Sequence, residues 1–174
     1  MPEAQTEVLR ARLIEVYNLY RTALLNRKYY AHKLALWKRW NSALEVALAI
    51  GTSGTIGAWA IWRKGAGEDV WTIFAASAAL LGVIKPVIQL PKGIERYSKL
   101  YVGYSDLFYD FQAVVSDIQT THSFSQEMGN KVANARERIK KLSLDDDPTP
   151  NKTLVKQFYG EVNTEIPSDR LWMP

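Results

Sequence analysis

Between Ala43 and Leu90 the chain carries an apolar stretch that limits what the rest can fold into. Ala43 to Trp62 reads ALEVALAIGTSGTIGAWAIW, with Glu45 its sole charge. Val70 to Leu90 reads VWTIFAASAALLGVIKPVIQL, apolar apart from Lys85 and Gln89. The polar turn RKGAGED, Arg63 to Asp69, joins them. About 20 residues at ~1.5 Å rise cross a ~30 Å hydrocarbon core, so the pattern predicts two antiparallel transmembrane helices at 43–62 and 70–90. Trp59, Trp62 and Trp71 mark one water interface, and Trp37, Trp40 and the Tyr29-Tyr30 pair the other. Gly51, Gly54 and Gly57 would weaken a soluble helix, whereas small residues let membrane helices approach closely. Basic residues set the orientation. Arg27, Lys28, Lys33, Lys38 and Arg39 precede the first span, and Lys92, Arg96 and Lys99 follow the second. Both termini are therefore expected in the cytoplasm.

Whole-chain averages conceal this segment. Of the 174 residues 47% are apolar, and it is the clustering of those residues, with charge on both flanks, that carries the signal. The net charge of +4 is expected to act beside the membrane, which makes direct nucleic-acid binding an unfavoured reading. The absence of cysteine removes disulfides, thiolate metal sites and cysteine nucleophiles. No cleavable signal peptide is expected, because the first residues lack a short apolar core.

Glu45 and Lys85 lie at almost the same depth, counted from the turn centre near Ala66. Either they neutralise one another near the cytoplasmic boundary, or both reach the headgroups. Gly51, Ser53, Gly54, Thr55, Gly57, Ser77 and Gly82 are the candidate transmembrane packing or pore-lining positions. Their hydroxyls either line a wet path between assembled hairpins or bond their own backbone.

The flanks read as helices. With no Pro or Gly between Glu3 and Ile50, one continuous helix is expected, its stripe Leu9, Leu13, Val16, Tyr20, Ala23, Tyr30, Leu34 and Trp37 broken at Arg27. After Pro91 and Gly93 a second stripe runs through Ile94, Tyr97, Tyr101, Tyr104, Phe108, Phe111, Val115 and Ile118. A break near His122-Ser123 precedes a third stripe at Met128, Val132, Ala135, Ile139 and Leu142, with Ser123 or Ser125 as its cap. Tyr97, Tyr101, Tyr104, Phe108 and Phe111 are the candidate stalk interface: either an intramolecular core or a surface shared between subunits. Beyond Leu144, LDDDPTPNKT reads as a linker, followed by a short amphipathic piece at Leu154, Phe158 and Val162. The tip Leu171, Trp172 and Met173 either docks on a partner or folds back.

The expected fold is thus all-α: an N-terminal cytoplasmic helix at 1–42, a transmembrane hairpin at 43–90, a coiled-coil stalk at 91–144, and a linker and tail at 145–174. No phosphate loop, GxSxG or HExxH occurs, His32 and His122 lack nearby ligand sets, and an EF-hand reading of Asp145 onward fails for want of its Gly and Glu. No enzyme activity, metal or cofactor is expected. The DxxxD at Asp106 and Asp110 and the basic run Arg136, Arg138, Lys140 and Lys141 read as solvated helix faces.

The order of long helix (YRTALLNRKYYAHKLALWKRWN), two-span hairpin and basic-aromatic helix (GVIKPVIQLPKGIERYSKLYVGYSDLFYDFQ) resembles the SLATT family of bacterial two-transmembrane proteins over roughly Arg10 to Ile118. The resemblance rests on topology and pattern rather than an invariant motif. It implies an effector of an antiphage, abortive-infection type of defence, one that oligomerises and permeabilises the inner membrane on a signal from a separate sensor. It carries over no catalytic residue. A non-conducting membrane anchor or scaffold and a soluble helical adaptor are the competing readings.

Overall fold

The computed structural model describes residues 3–61, 73, 76–77, 80, 82–83 and 89–174, without the side chains of 3, 4 and 50–61. Four α-helices and a 3-10 turn, with no strand among the described residues, run in the order α1 (Glu3–Ile61), α2 (Leu90–Thr121), α3 (Gln126–Ser143) and α4 (Lys152–Glu165), then Ser168–Arg170. Residues 73, 76, 77, 80, 82 and 83 are helical as well. The chain divides into one unit of residues 1–33 and 96–174 and a second of residues 34–95.

The expected continuous first helix is present, and it continues past Gly51, Gly54 and Gly57. The expected hairpin falls partly outside the description: most of Val70 to Leu90, including Lys85, lies outside the described residues. Among those described, no helix is long and apolar enough to cross a membrane. In the second unit the ring of Trp37 lies against the backbone of Gly93, and a Cβ there would meet Trp37 Cη2 at 2.9 Å. Leu34 and Leu90 are buried in the same unit.

The first unit is a four-helix bundle. Tyr20 stacks on Phe108 and Tyr30 on Tyr104, so α1 and α2 run antiparallel. Arg138 reaches Asp110 and Leu142 packs on Gly103, so α3 returns antiparallel to α2. Lys28 pairs with Glu161, His32 meets Phe158, and the Tyr17 hydroxyl donates to the Trp172 carbonyl at 2.7 Å, which lays α4 and the tail antiparallel along α1. The stripes predicted from sequence supply the core, but the buried bands are wider. Tyr17, Leu24 and Tyr29 join the α1 stripe, and Leu100, Leu107 and Val114 join that of α2. A helix surrounded by several neighbours needs a broader apolar face than a two-stranded seam does.

Local chemistry explains the breaks. α2 ends where His122 adopts φ 49°, its N–H closing on the Ile118 carbonyl at 2.9 Å; His is among the residues that tolerate this left-handed position. Ser125 then caps α3 by accepting from the Met128 N–H, with Glu127 in the first turn and Lys140 and Lys141 in the last, as the helix dipole favours. Residues 152–165, expected to give one or two turns, form the 14-residue α4. Its N-cap is Asn151, whose side chain accepts from Thr153 and Leu154 N–H groups. Pro150 before that cap disfavours a helical conformation at Thr149.

Core burial predicts a steep contrast between two apolar positions of α2. Phe111→Ala should lower the unfolding free energy by about 3–5 kcal/mol, because Phe111 is 1% exposed. Val102→Ala, at a half-exposed site, should stay within about 0.5 kcal/mol. Denaturant titration of both variants checks this.

Candidate functional site: an acidic turn held by tyrosines

The turn between α3 and α4 carries Asp145, Asp146 and Asp147, and it gathers the polar side chains at one end of the bundle. Asp146 accepts from Tyr30 at 2.9 Å and from Tyr104 at 2.9 Å. Asp147 accepts from Tyr29 and Tyr97, each at 2.8 Å, with Lys33 Nζ at 3.3 Å and Arg96 at 3.6 Å. Arg96 also donates to the carbonyls of Asp145 and Asp146 at 2.7 and 2.8 Å, and Lys99 pairs with Asp145 at 2.6 Å. Two phenols work in both directions. Tyr30 receives the Asp147 N–H and Tyr29 the Asn151 N–H, each at 3.2 Å. A buried phenol needs a polar partner, and these carboxylates supply one.

The electrostatics follow from this wiring. Burial works against the charge of Asp147, but the Tyr29 and Tyr97 hydrogen bonds and Lys33 outweigh it and hold its pKa below the usual carboxylate value. Burial likewise opposes the Lys33 ammonium, and Asp147 outweighs it, raising that pKa. Burial, reinforced by the charge of Asp146, pushes Tyr30 and Tyr104 well above an ordinary phenol. Phenols locked protonated and a carboxylate locked ionised form a rigid clasp rather than a proton-transfer pair.

Of the candidate stalk interface, Tyr97, Tyr104, Phe108 and Phe111 are buried inside this chain, and Tyr101 is half-buried. Of the alternatives open in sequence, these four side chains take the intramolecular core. Tyr29 and Tyr30, read from sequence as interfacial aromatics, are each 3% exposed and bound to the acidic turn, so that expectation is corrected. The break in the α1 stripe also has a partner, since Arg27 lies 5.1 Å from the ring centres of both Phe108 and Tyr109. The tip folds back: Trp172 sits 5.1 Å from His122, Gln119 donates to the Arg170 carbonyl, and Leu171 is half-buried while Met173 is 38% exposed.

The apolar segment is only partly described. Glu45 accepts from Asn41 at 2.9 Å, while Lys85 lies outside the described residues. Gly51, Ser53, Gly54, Thr55 and Gly57 belong to α1, with their side chains outside the description. Ser77 is exposed and donates to the Ile73 carbonyl at 2.7 Å, the backbone bonding weighed above, and Gly82 has open space at its Cβ position.

Elsewhere in the bundle, a cavity of about 370 Å³ lies between α2 and α3, lined by Phe111, Val114, Lys131 and Arg138 among others. Asp106 and Asp110 both face Arg138, and Arg136 pairs with Glu15; all five side chains stay 43–60% exposed. Among the described residues no group of three or more His, Cys, Asp or Glu is placed to hold a metal. No family model matches the chain, and comparison with curated proteins and with solved structures likewise finds no match.

The clasp is not legible in DDDP itself, whose acids and proline carry the composition of a linker. Tyrosines at stripe positions 30, 97 and 104 were the available signal, since each hydroxyl had to find a partner once buried. Removing that partner should be costly. Asp147→Asn should destabilise the bundle by about 2–4 kcal/mol, and Tyr97→Phe by about 1–2 kcal/mol, in chemical denaturation. The pH profile should fall at both ends. Below about pH 4 the unfolded chain takes up a proton that folded Asp147 resists, and above about pH 10 it loses protons that folded Tyr30 and Tyr104 retain, so stability declines in each direction. Thermal melts across pH provide the measurement.

Proposed function

We propose that this chain is a two-span membrane effector of a bacterial antiphage defence system. It would oligomerise through the 43–62 and 70–90 segments and permeabilise or depolarise the inner membrane when a separate sensor signals to its cytoplasmic bundle. The observation that carries this reading is the exposure of apolar side chains in the second unit: Trp40 64%, Val46 58%, Ile73 67%, Leu80 63% and Val83 69%. Apolar surface on this scale calls for cover, and lipid together with further copies of the chain supplies it. Basic flanks and a polar outer turn put both termini on the cytoplasmic side. The clasp supports the regulatory part of the reading. It binds Tyr29, Tyr30 and Lys33 just before the apolar segment and Arg96, Tyr97 and Lys99 just after it, so a signal to the bundle reaches both limbs of the chain entering that segment.

One observation favours a non-conducting anchor or scaffold instead. Four of the five candidate interface aromatics are spent within the chain, leaving less surface for assembly through the bundle. The two readings separate in cells. Induced expression, with the sensor partner where needed, should collapse the membrane potential reported by a voltage-sensitive dye, and Gly51→Leu with Gly54→Leu should abolish that collapse while the chain stays in carbonate-washed membranes. An anchor would be tolerated at equal abundance, and a chain released by carbonate would end both membrane readings.

A further inference from the structure

The end of the bundle that carries the clasp has an outer surface unlike the rest. Lys99 on α2, Lys140 and Lys141 in the last turn of α3, and Lys152 and Lys156 on α4 are all exposed there. The antiparallel helix order brings these five residues to one end, since α2 begins, α3 ends and α4 begins at the acidic turn. The five lysines outnumber the acids that face outward here: Asp146 and Asp147 are occupied by tyrosines, Lys33 and Arg96, Asp145 pairs with Lys99, and Glu137 is exposed one turn before Lys140 and Lys141. Towards the other end the signs are mixed, with Glu15 beside Arg136 and Glu127 beside Lys131.

Leu144 stands next to this lysine cluster. At 84% it has the highest exposure recorded for a large apolar side chain among the described residues, and it follows Lys140 and Lys141 by one turn. Tyr159, 56% exposed, lies three residues beyond Lys156. In water, a leucine held this far out gains nothing from burial. Lysines sharing one end of the bundle with an exposed leucine suit one kind of surface: headgroup phosphates attract the ammonium groups, and the leucine enters the acyl boundary.

We infer that this end of the bundle is a docking surface for an anionic lipid leaflet, in which Lys99, Lys140, Lys141, Lys152 and Lys156 meet headgroup phosphates and Leu144 inserts between them. The inference rests on the two-span reading and deepens it. Lys33 and Arg96, where the chain leaves the bundle for residues 34–95 and returns, pair with Asp147 at this same end. A sensor or a change in lipid charge that lifts the surface away would alter the forces on both limbs.

The test uses the full chain in nanodiscs of phosphatidylcholine alone or mixed with phosphatidylglycerol. Because the protein has no cysteine, Ser143→Cys takes a single fluorophore beside the lysines, and Gln126→Cys places one at the opposite end of α3. Quenching by headgroup spin-labelled lipid should rise several-fold at position 143 when the anionic lipid is present, should fall back in high salt, and should stay unchanged at position 126. Each lysine is worth about a fivefold factor at an anionic leaflet, so Lys140→Gln with Lys141→Gln should reverse most of the rise. Leu144→Ser should shorten contact without removing the salt dependence. Quenching at 143 that is equal in both lipids, or indifferent to the lysine pair, would overturn the inference while leaving an inserted chain in place. A chain that fails to enter nanodiscs would overturn the two-span reading with it.

Discussion

The bundle depends on two carboxylates placed where four phenols need them. Asp146 and Asp147 accept the hydroxyl hydrogens of Tyr29, Tyr30, Tyr97 and Tyr104, and backbone N–H groups complete the bonding of Tyr29 and Tyr30. Leaving a buried polar group short of its acceptor costs about 1–3 kcal/mol, so losing these carboxylates would offset a large part of the stability typical of a domain this size. The same bonds fix the turn between α3 and α4, which sets where α3 ends and where Asn151 can cap α4. Charge, hydrogen bonding and chain direction are therefore settled at one point.

From that point the packing follows a single logic. α1 and α2 contribute aromatic faces that stack across the bundle, Tyr20 on Phe108 and Tyr30 on Tyr104, at 5.2 and 5.6 Å. Their rings bury large areas, and where a stripe position is not apolar a cation fills it: Arg27 stacks on Phe108 and Tyr109. α4 is held by Lys28 between Glu161 and Glu165 and by Phe158 and Val162 in the core. The tail finishes the bundle by returning Trp172 to α1 and to His122.

A bundle so closed on itself suits the signalling role proposed for it. Its phenols are held protonated and Asp147 ionised, and the clasp links the two limbs on either side of the apolar segment. In the proposed function, the bundle would sense and the apolar segment would act, with the lysine-rich end of the bundle reading the leaflet between them. Exposed apolar side chains in the second unit and the exposed Leu144 in the first are two separate signs of surface that water does not favour.

The sequence by itself determined the all-helical class, the unbroken first helix, the break near His122-Ser123, a serine cap at 123 or 125 and most of the buried stripe positions. These depend on local propensity and on a 3.6-residue period, which neighbours along the chain specify. Only the tertiary structure decided that DDDP is a clasp and not a linker, that α4 is a full helix, that Tyr29 and Tyr30 face protein, and that the aromatic stripe is spent internally. Each of those outcomes turns on which distant side chain arrives to satisfy a buried hydroxyl or cover an aromatic face. Tyr30 and Asp146, or Tyr17 and Trp172, are separated by more than a hundred residues, and no local pattern records their meeting.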